Sequence, residues 1–157
     1  MAVLLRIEGI SKSYPGVKAL QNVSFDIEAG TVHAVMGENG AGKSTMMQII
    51  AGAQLPDPGG RLVFEGEELH LHGTRDANHK GIAIVFQELN LAPNMSIAEN
   101  IVLGMEPHAA GVFVDRATML ATTRSVLARL GMQNDPDTIV RDLTIAQQQM
   151  VEIAKSL

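Results

Sequence analysis

The spacing of apolar residues divides the chain into a strand-rich first part and a helical second part. Residues 3–10 and 23–27 read as strands, and Tyr14-Pro15-Gly16 between them is a turn. Thr31-Val32-His33-Ala34-Val35-Met36 is an apolar, β-branched run with the character of a buried strand. Behind it Met46, Met47, Ile49 and Ile50 recur at helical spacing, and Gly52 is placed to end that helix. Leu55-Pro56-Asp57-Pro58-Gly59-Gly60 is a loop, and Arg61 to Phe64 and Ile82 to Phe86 are further short strands. Beyond Gln87 the period becomes helical. Ser96 with Glu99 fits a capping box for a helix through Leu103. Asp115 caps a second helix with apolar positions Met119, Leu120, Val126, Leu127 and Leu130, closed by Gly131. Thr144 with Gln147 fits another capping box, followed by an amphipathic stripe of Ala146, Met150, Ile153, Ala154 and Leu157.

The turn between the 31–36 run and its helix carries chemistry. Gly37-Glu38-Asn39-Gly40-Ala41-Gly42-Lys43-Ser44, followed by Thr45, fits the phosphate-binding pattern G-x-x-x-x-G-K-[ST] without a mismatch. The glycines admit positive φ and close approach of a ligand, and successive N–H groups form a concave nest for anions. Lys43 supplies a flexible point charge for β- and γ-phosphates, and the Ser44 hydroxyl is suited to ligating Mg²⁺. A helix starts here, so its positive end faces the same phosphates. Strand, glycine loop and helix is the context that distinguishes this motif from an ordinary glycine-rich turn.

Composition narrows the picture modestly. With 157 residues and 46% apolar content the chain is one domain or part of a larger one, with enough apolar surface for a packed core. A net charge of −5 argues against a nucleic-acid surface. There are no cysteines, which excludes disulfides and thiolate metal sites and suits a reducing compartment. The first ten residues lack a basic start and long apolar stretch, and no window of 18 apolar residues exists to cross a membrane. His70 and His72 would share a face of a strand but have no third ligand nearby, and His33, His79 and His108 are isolated.

Four separated signals, in order, resemble the ATP-binding subunit of ABC transporters. Tyr14 stands where the family places an aromatic residue that stacks on adenine, and its ring offers the necessary π-face. The phosphate loop follows. Gln87, ending Ile84-Val85-Phe86-Gln87, is similar to the family's Q-loop, where an amide oxygen holds Mg²⁺ or the attacking water. Leu143-Thr144-Ile145-Ala146-Gln147 stands at the signature usually written L-S-G-G-Q, whose helix N-terminus meets the ATP bound by a partner domain. The following Gln147-Gln148-Gln149-Met150-Val151-Glu152-Ile153-Ala154-Lys155 resembles the branch that imports monosaccharides such as ribose, galactose and xylose.

The resemblance implies an α/β fold: a P-loop NTPase core with an antiparallel β subdomain in residues 1–87, and a helical subdomain in 88–157 that ends in the signature helix. It implies ATP and Mg²⁺ as cofactors, with Ser44 and Gln87 on the metal. The implied partners are membrane permease subunits, a second nucleotide-binding domain and, indirectly, an extracytoplasmic sugar-binding protein. The implied place is peripheral, on the cytoplasmic face of the membrane. Sugar specificity would rest with the binding protein and permease.

Two departures matter. Thr144 and Ile145 replace the usual Ser and Gly; Thr keeps a hydroxyl, whereas Ile adds bulk beside the expected γ-phosphate. The family continues past the signature helix into a strand with the Mg²⁺-linked Asp, then a catalytic Glu and a switch His, and this chain reads as truncated before that strand. Val112-Phe113-Val114-Asp115 imitates such a strand, but Arg116 follows and Asp115 is better read as a helix cap. Glu65, followed by Gly66, belongs to the expected antiparallel subdomain. The expectation is therefore a chain that cradles ATP without a catalytic carboxylate to orient water. A non-catalytic remnant of such a subunit is the alternative. A GTPase or small-molecule kinase is a further one, but it would want an N-K-x-D stretch for guanine, which is missing, and would leave Tyr14 and Gln87 unexplained.

Overall fold

The structure, a computed structural model, describes residues 2–86, 89–109 and 113–157. They form two compact units, Met1–Ile84 and Val85–Leu157.

In the first unit, strands β1 (Val3–Tyr14) and β2 (Val17–Glu28) make a long antiparallel hairpin through the expected turn at Pro15-Gly16. Both are longer than their apolar cores suggest. Leu5 and Ile7 share the buried face, and a bulge then shifts the register so that Ile10 is buried too. Gly9 (φ 62) and Asn22 (φ 47) supply the positive backbone angles of that irregularity. The Ser24 and Ser11 hydroxyls accept from the Gly9 and Asn22 N–H groups at 2.8 and 2.9 Å, which satisfies donors the bulge removes from the ladder. Helix α1 spans Lys43–Ile50. Strands β3 (Arg61–Phe64) and β4 (Glu67–Glu68) complete a four-stranded antiparallel sheet in the order β2-β1-β3-β4. Glu65 (φ 52) and Gly66 (φ 86) form the tight β3–β4 turn, so Glu65 does lie in the antiparallel sheet. A short α2 (Thr74–His79) follows. Met46 and Ile49 of α1 pack with Leu5, Ile7, Ile10, Leu20, Leu62, Leu69 and Leu71 into one core.

The second unit is helical. Helix α3 (Ile97–Val102) is followed by a two-residue ribbon, β5 (His108–Ala109) with β6 (Phe113–Val114). Helix α4 (Arg116–Arg129), a 3₁₀ turn (Val140–Asp142) and α5 (Ile145–Lys155) follow. Ile97, Ile101, Met119, Leu127, Val140 and Val151 form its core. Asp115 accepts from the Thr118 N–H at 3.1 Å as the α4 cap, in accord with its reading as a cap and not as the end of a catalytic strand.

Two expectations fail and a third holds only in part. Thr31 to Met36 is not a strand: Val32 is 100% and Met36 89% exposed. Nor is Ile82 to Phe86 one among its described residues. A strand exists only when a neighbour supplies hydrogen-bond partners, and no described residue pairs with either segment. The central parallel layer of an α/β core is therefore not formed among the described residues, although the antiparallel and helical parts are. On α5 Val151, Glu152 and Ala154 are buried and Met150 is half-buried, whereas Ala146 and Ile153, and Leu157 beyond the helix, are exposed. The half-buried Gln148 also faces inward: its Nε2 donates to the Val140 and Leu143 carbonyls at 3.2 Å each.

Candidate functional site

The glycine loop enters α1 within its own motif. Gly42 is the helix N-cap at φ 84, ψ 4, and Gly40 also has φ 84. Only these two use the left-handed region. Gly37 instead supplies room, because a Cβ there would sit 3.2 Å from the Ala41 Cβ. The Ala41 N–H bonds to the Glu38 carbonyl at 3.2 Å, closing a turn inside the loop. Gly42 lies hard against β2: an added Cβ would be 2.3 Å from the Ala19 carbonyl oxygen and 2.7 Å from Leu20 Cδ2. That close approach seats the loop on the hairpin.

Among the described residues no side chain caps α1, and no acidic residue occupies its first turn. The first N–H groups of a helix have no intrahelical partner, so this end offers donors and the positive end of the helix dipole. Lys43 Nζ donates to the Gly37 and Glu38 carbonyls, both at 2.8 Å. An ammonium has three donors: two fasten the side chain across the loop, and no partner among the described residues takes the third, which leaves it for a ligand. Ser44, the expected Mg²⁺ ligand, is exposed at the same helix end, and Thr45 follows it. Glycine angles, bare helix N-terminus, lysine and adjacent hydroxyl together fit a Mg²⁺–polyphosphate group.

Tyr14 closes β1 and is 37% exposed, and its hydroxyl donates to Gln54 Oε1 at 3.0 Å. Gln54 lies just past α1, so the aromatic side chain is tied to the helix that begins in the loop. Gln87, the Q-loop candidate, lies outside the described residues.

The signature segment belongs to the second unit. Thr144 is the N-cap of α5, and its hydroxyl accepts from the Gln147 N–H at 3.3 Å. Gln147 Oε1 in turn accepts from the Thr144 N–H at 2.9 Å and from its hydroxyl at 3.0 Å. Both halves of the capping box are thus made. Leu143 anchors the segment in the core, and Ile145 is 70% exposed, so the replacement of Gly by Ile puts an apolar side chain on the surface beside the helix N-terminus. The equivalent box on α3 has Glu99 Oε2 accepting from the Ser96 N–H at 2.7 Å and its hydroxyl at 2.9 Å. Those two bonds, the backbone one first, hold the Glu99 carboxyl below the ordinary glutamate range.

Sequence reasoning missed Asn100. It is fully buried, its Oδ1 accepts from the Ala92 N–H at 2.7 Å, and its Nδ2 donates to the Ala92 and Ser96 carbonyls at 3.0 Å each. It pins the segment that follows residues 87 and 88 to α3. Its signal was a polar residue set between Ile97 and Ile101 in an apolar helix.

The family model described as ABC transporter matches residues 20–157. The ribose import ATP-binding protein RbsA 1 of Streptomyces avermitilis is 53% identical over 98% of this chain. The arabinose import ATP-binding protein AraG of Mannheimia succiniciproducens is 48% identical, also over 98%. The chain spans 29% of the first of these relatives and 30% of the second. Among solved structures, a nucleotide-free ATP-binding cassette from an ABC transporter superposes with a TM-score of 0.84 at 27% identity, covering 99% of this chain and 64% of that one. A dimeric cassette bound to ADP and phosphate superposes with a TM-score of 0.78 at 25% identity, covering 98% and 69%.

Proposed function

The chain belongs to the ABC transporter family, and from that premise we propose that it is the ATP-binding part of an importer ATPase for a monosaccharide. The observation that carries this reading is the phosphate loop: an uncapped helix N-terminus behind Gly40 and Gly42, with Lys43 fastened across it. The likeness to ribose and arabinose import proteins supports the choice of cargo class. In this reading residues 1–87 are the P-loop core with its antiparallel β subdomain, and 88–157 the helical subdomain.

Loop N–H groups and Lys43 hold the β- and γ-phosphates, and Tyr14 stacks on adenine. Ser44 and Gln87 hold Mg²⁺, which neutralises phosphate charge when bound. The Leu143–Gln147 segment meets the ATP of a second nucleotide-binding domain; pairing of two such domains is in keeping with the dimeric state of a similar cassette. The helical part contacts permease subunits, which would put the protein at the cytoplasmic face of the membrane, and a sugar-binding protein delivers the cargo.

Deleting the gene in its native host tests the reading. High-affinity uptake of one of ribose, arabinose, xylose or galactose should be lost, and restored by the intact gene. Unchanged uptake of all four would overturn the assignment.

A further inference from the structure

An aromatic side chain makes a selective platform for a base only if its ring is already oriented, because fixing a mobile ring on binding opposes association. Tyr14 is held from two sides. Its hydroxyl donates to Gln54 Oε1 at 3.0 Å. Lys12 Nζ lies over its ring, 5.7 Å from the centroid, and donates to the Leu55 carbonyl at 2.7 Å. Lys12 is half-buried, on the strand that carries Tyr14, and is anchored to the same loop as the tyrosine hydroxyl.

That loop is continuous with the phosphate helix. The N–H groups of Ala53 and Gln54 bond to the Gln48 carbonyl in the last turn of α1 at 2.8 and 3.2 Å. One end of α1 therefore carries the glycine loop, and the other, about 12 Å away for eight residues, holds the ring. The cation occupies one face of Tyr14. Among the described residues the one ring-on-ring contact, Phe25 with His33, does not involve Tyr14. A cation on one face draws electron density from the ring and strengthens its stacking with an electron-rich purine on the other.

We propose that Lys12 and Gln54 are positioning residues for the nucleotide base: they clamp the Tyr14 ring in its stacking orientation and tie it to the helix that binds the phosphates. The proposal rests on the reading of Tyr14 as the adenine platform.

The test separates base from phosphate. Tyr14 is the chain's single tyrosine and there is no tryptophan, so intrinsic fluorescence anisotropy reports this ring alone. In the 157-residue chain, Lys12→Met and Gln54→Leu should each raise the mobility of Tyr14. Each should also weaken Mg·ATP about three- to tenfold, the scale of one exposed cation–π contact or one net hydrogen bond. Binding of Mg·tripolyphosphate, which has no base, should not change. Lys12→Arg, which keeps the cation, should bind ATP as wild type does. Tyr14→Ala should weaken ATP more than either single variant.

If Tyr14→Ala weakens ATP while Lys12→Met and Gln54→Leu do not, the clamp is wrong and the platform reading stands. If Tyr14→Ala binds ATP unchanged, the platform reading falls and the clamp with it. An equal loss for ATP and tripolyphosphate in the clamp variants would assign these residues to fold support and overturn the proposal.

Discussion

Replacing Lys43 with alanine should weaken Mg·ATP about 100-fold or more, equivalent to roughly 2.7 kcal/mol, while lowering stability by no more than about 1 kcal/mol. The asymmetry follows from where the ammonium spends its donors. Two go to the Gly37 and Glu38 carbonyls at the rim of an exposed loop, where water replaces them at little cost. The third, with the full positive charge, is left for phosphate oxygens, where a charge-assisted bond has no neutral substitute. Calorimetric titration with Mg·ATP gives the first quantity and urea denaturation the second. Unchanged ATP affinity in the alanine variant would remove the assignment of this loop. A large loss of stability would mean that Lys43 is mainly a fold contact.

Gly42→Ala should be damaging in a different way. The residue sits at φ 84, and its Cβ would fall 2.3 Å from the Ala19 carbonyl oxygen. Left-handed strain and the clash with backbone together put the cost at about 3 kcal/mol, with ATP binding lost as the loop lifts off β2. Gly40 is the control. It has the same φ of 84, but a Cβ there would meet nothing within 4 Å. Gly40→Ala should therefore cost only the strain, about 1–2 kcal/mol. Urea midpoints for the two variants decide the matter. Equal losses would show that contact with the hairpin does not seat the loop and that backbone conformation alone matters.

What the sequence disclosed was local. A capping box is complete within four residues, so Ser96 with Glu99 and Thr144 with Gln147 could be read directly, and both are made in the structure. The same holds for Asp115 on α4 and for the start of α1 at Lys43, directly behind Gly42. Features that depend on a distant partner were not legible. The runs 31–36 and 82–86 have strand chemistry, but a strand is a property of a pair, and no described residue completes it. The α5 stripe is right at Ala154 and Met150 but not at Ala146 and Ile153, because apolarity alone cannot say which side meets Leu143 and Val140. Gln54 and Leu55 are 40 and 43 residues from their partners Tyr14 and Lys12, and nothing local announces either bond. Asn100 shows the middle case: its spacing puts it on the apolar face of α3 with Ile97 and Ile101 and hinted at a buried network, but Ala92 as its partner could not be read from spacing.

Ile145 stands in the first turn of α5, where helical φ demands no glycine, and the capped helix N-terminus forms with it in place. What the substitution changes is the surface: an exposed apolar side chain stands next to the helix end that would face phosphate.

In the function proposed above, polyphosphate binds on the backbone of residues 37–45 at the start of α1. The most direct test is an amide-resolved NMR titration of the chain with Mg·ATP. The claim predicts that the N–H signals of Gly40, Gly42, Lys43, Ser44 and Thr45 shift first and furthest, with smaller changes around Tyr14. Saturating ATP that leaves those five amides unmoved, or shifts signals elsewhere in their place, would contradict it.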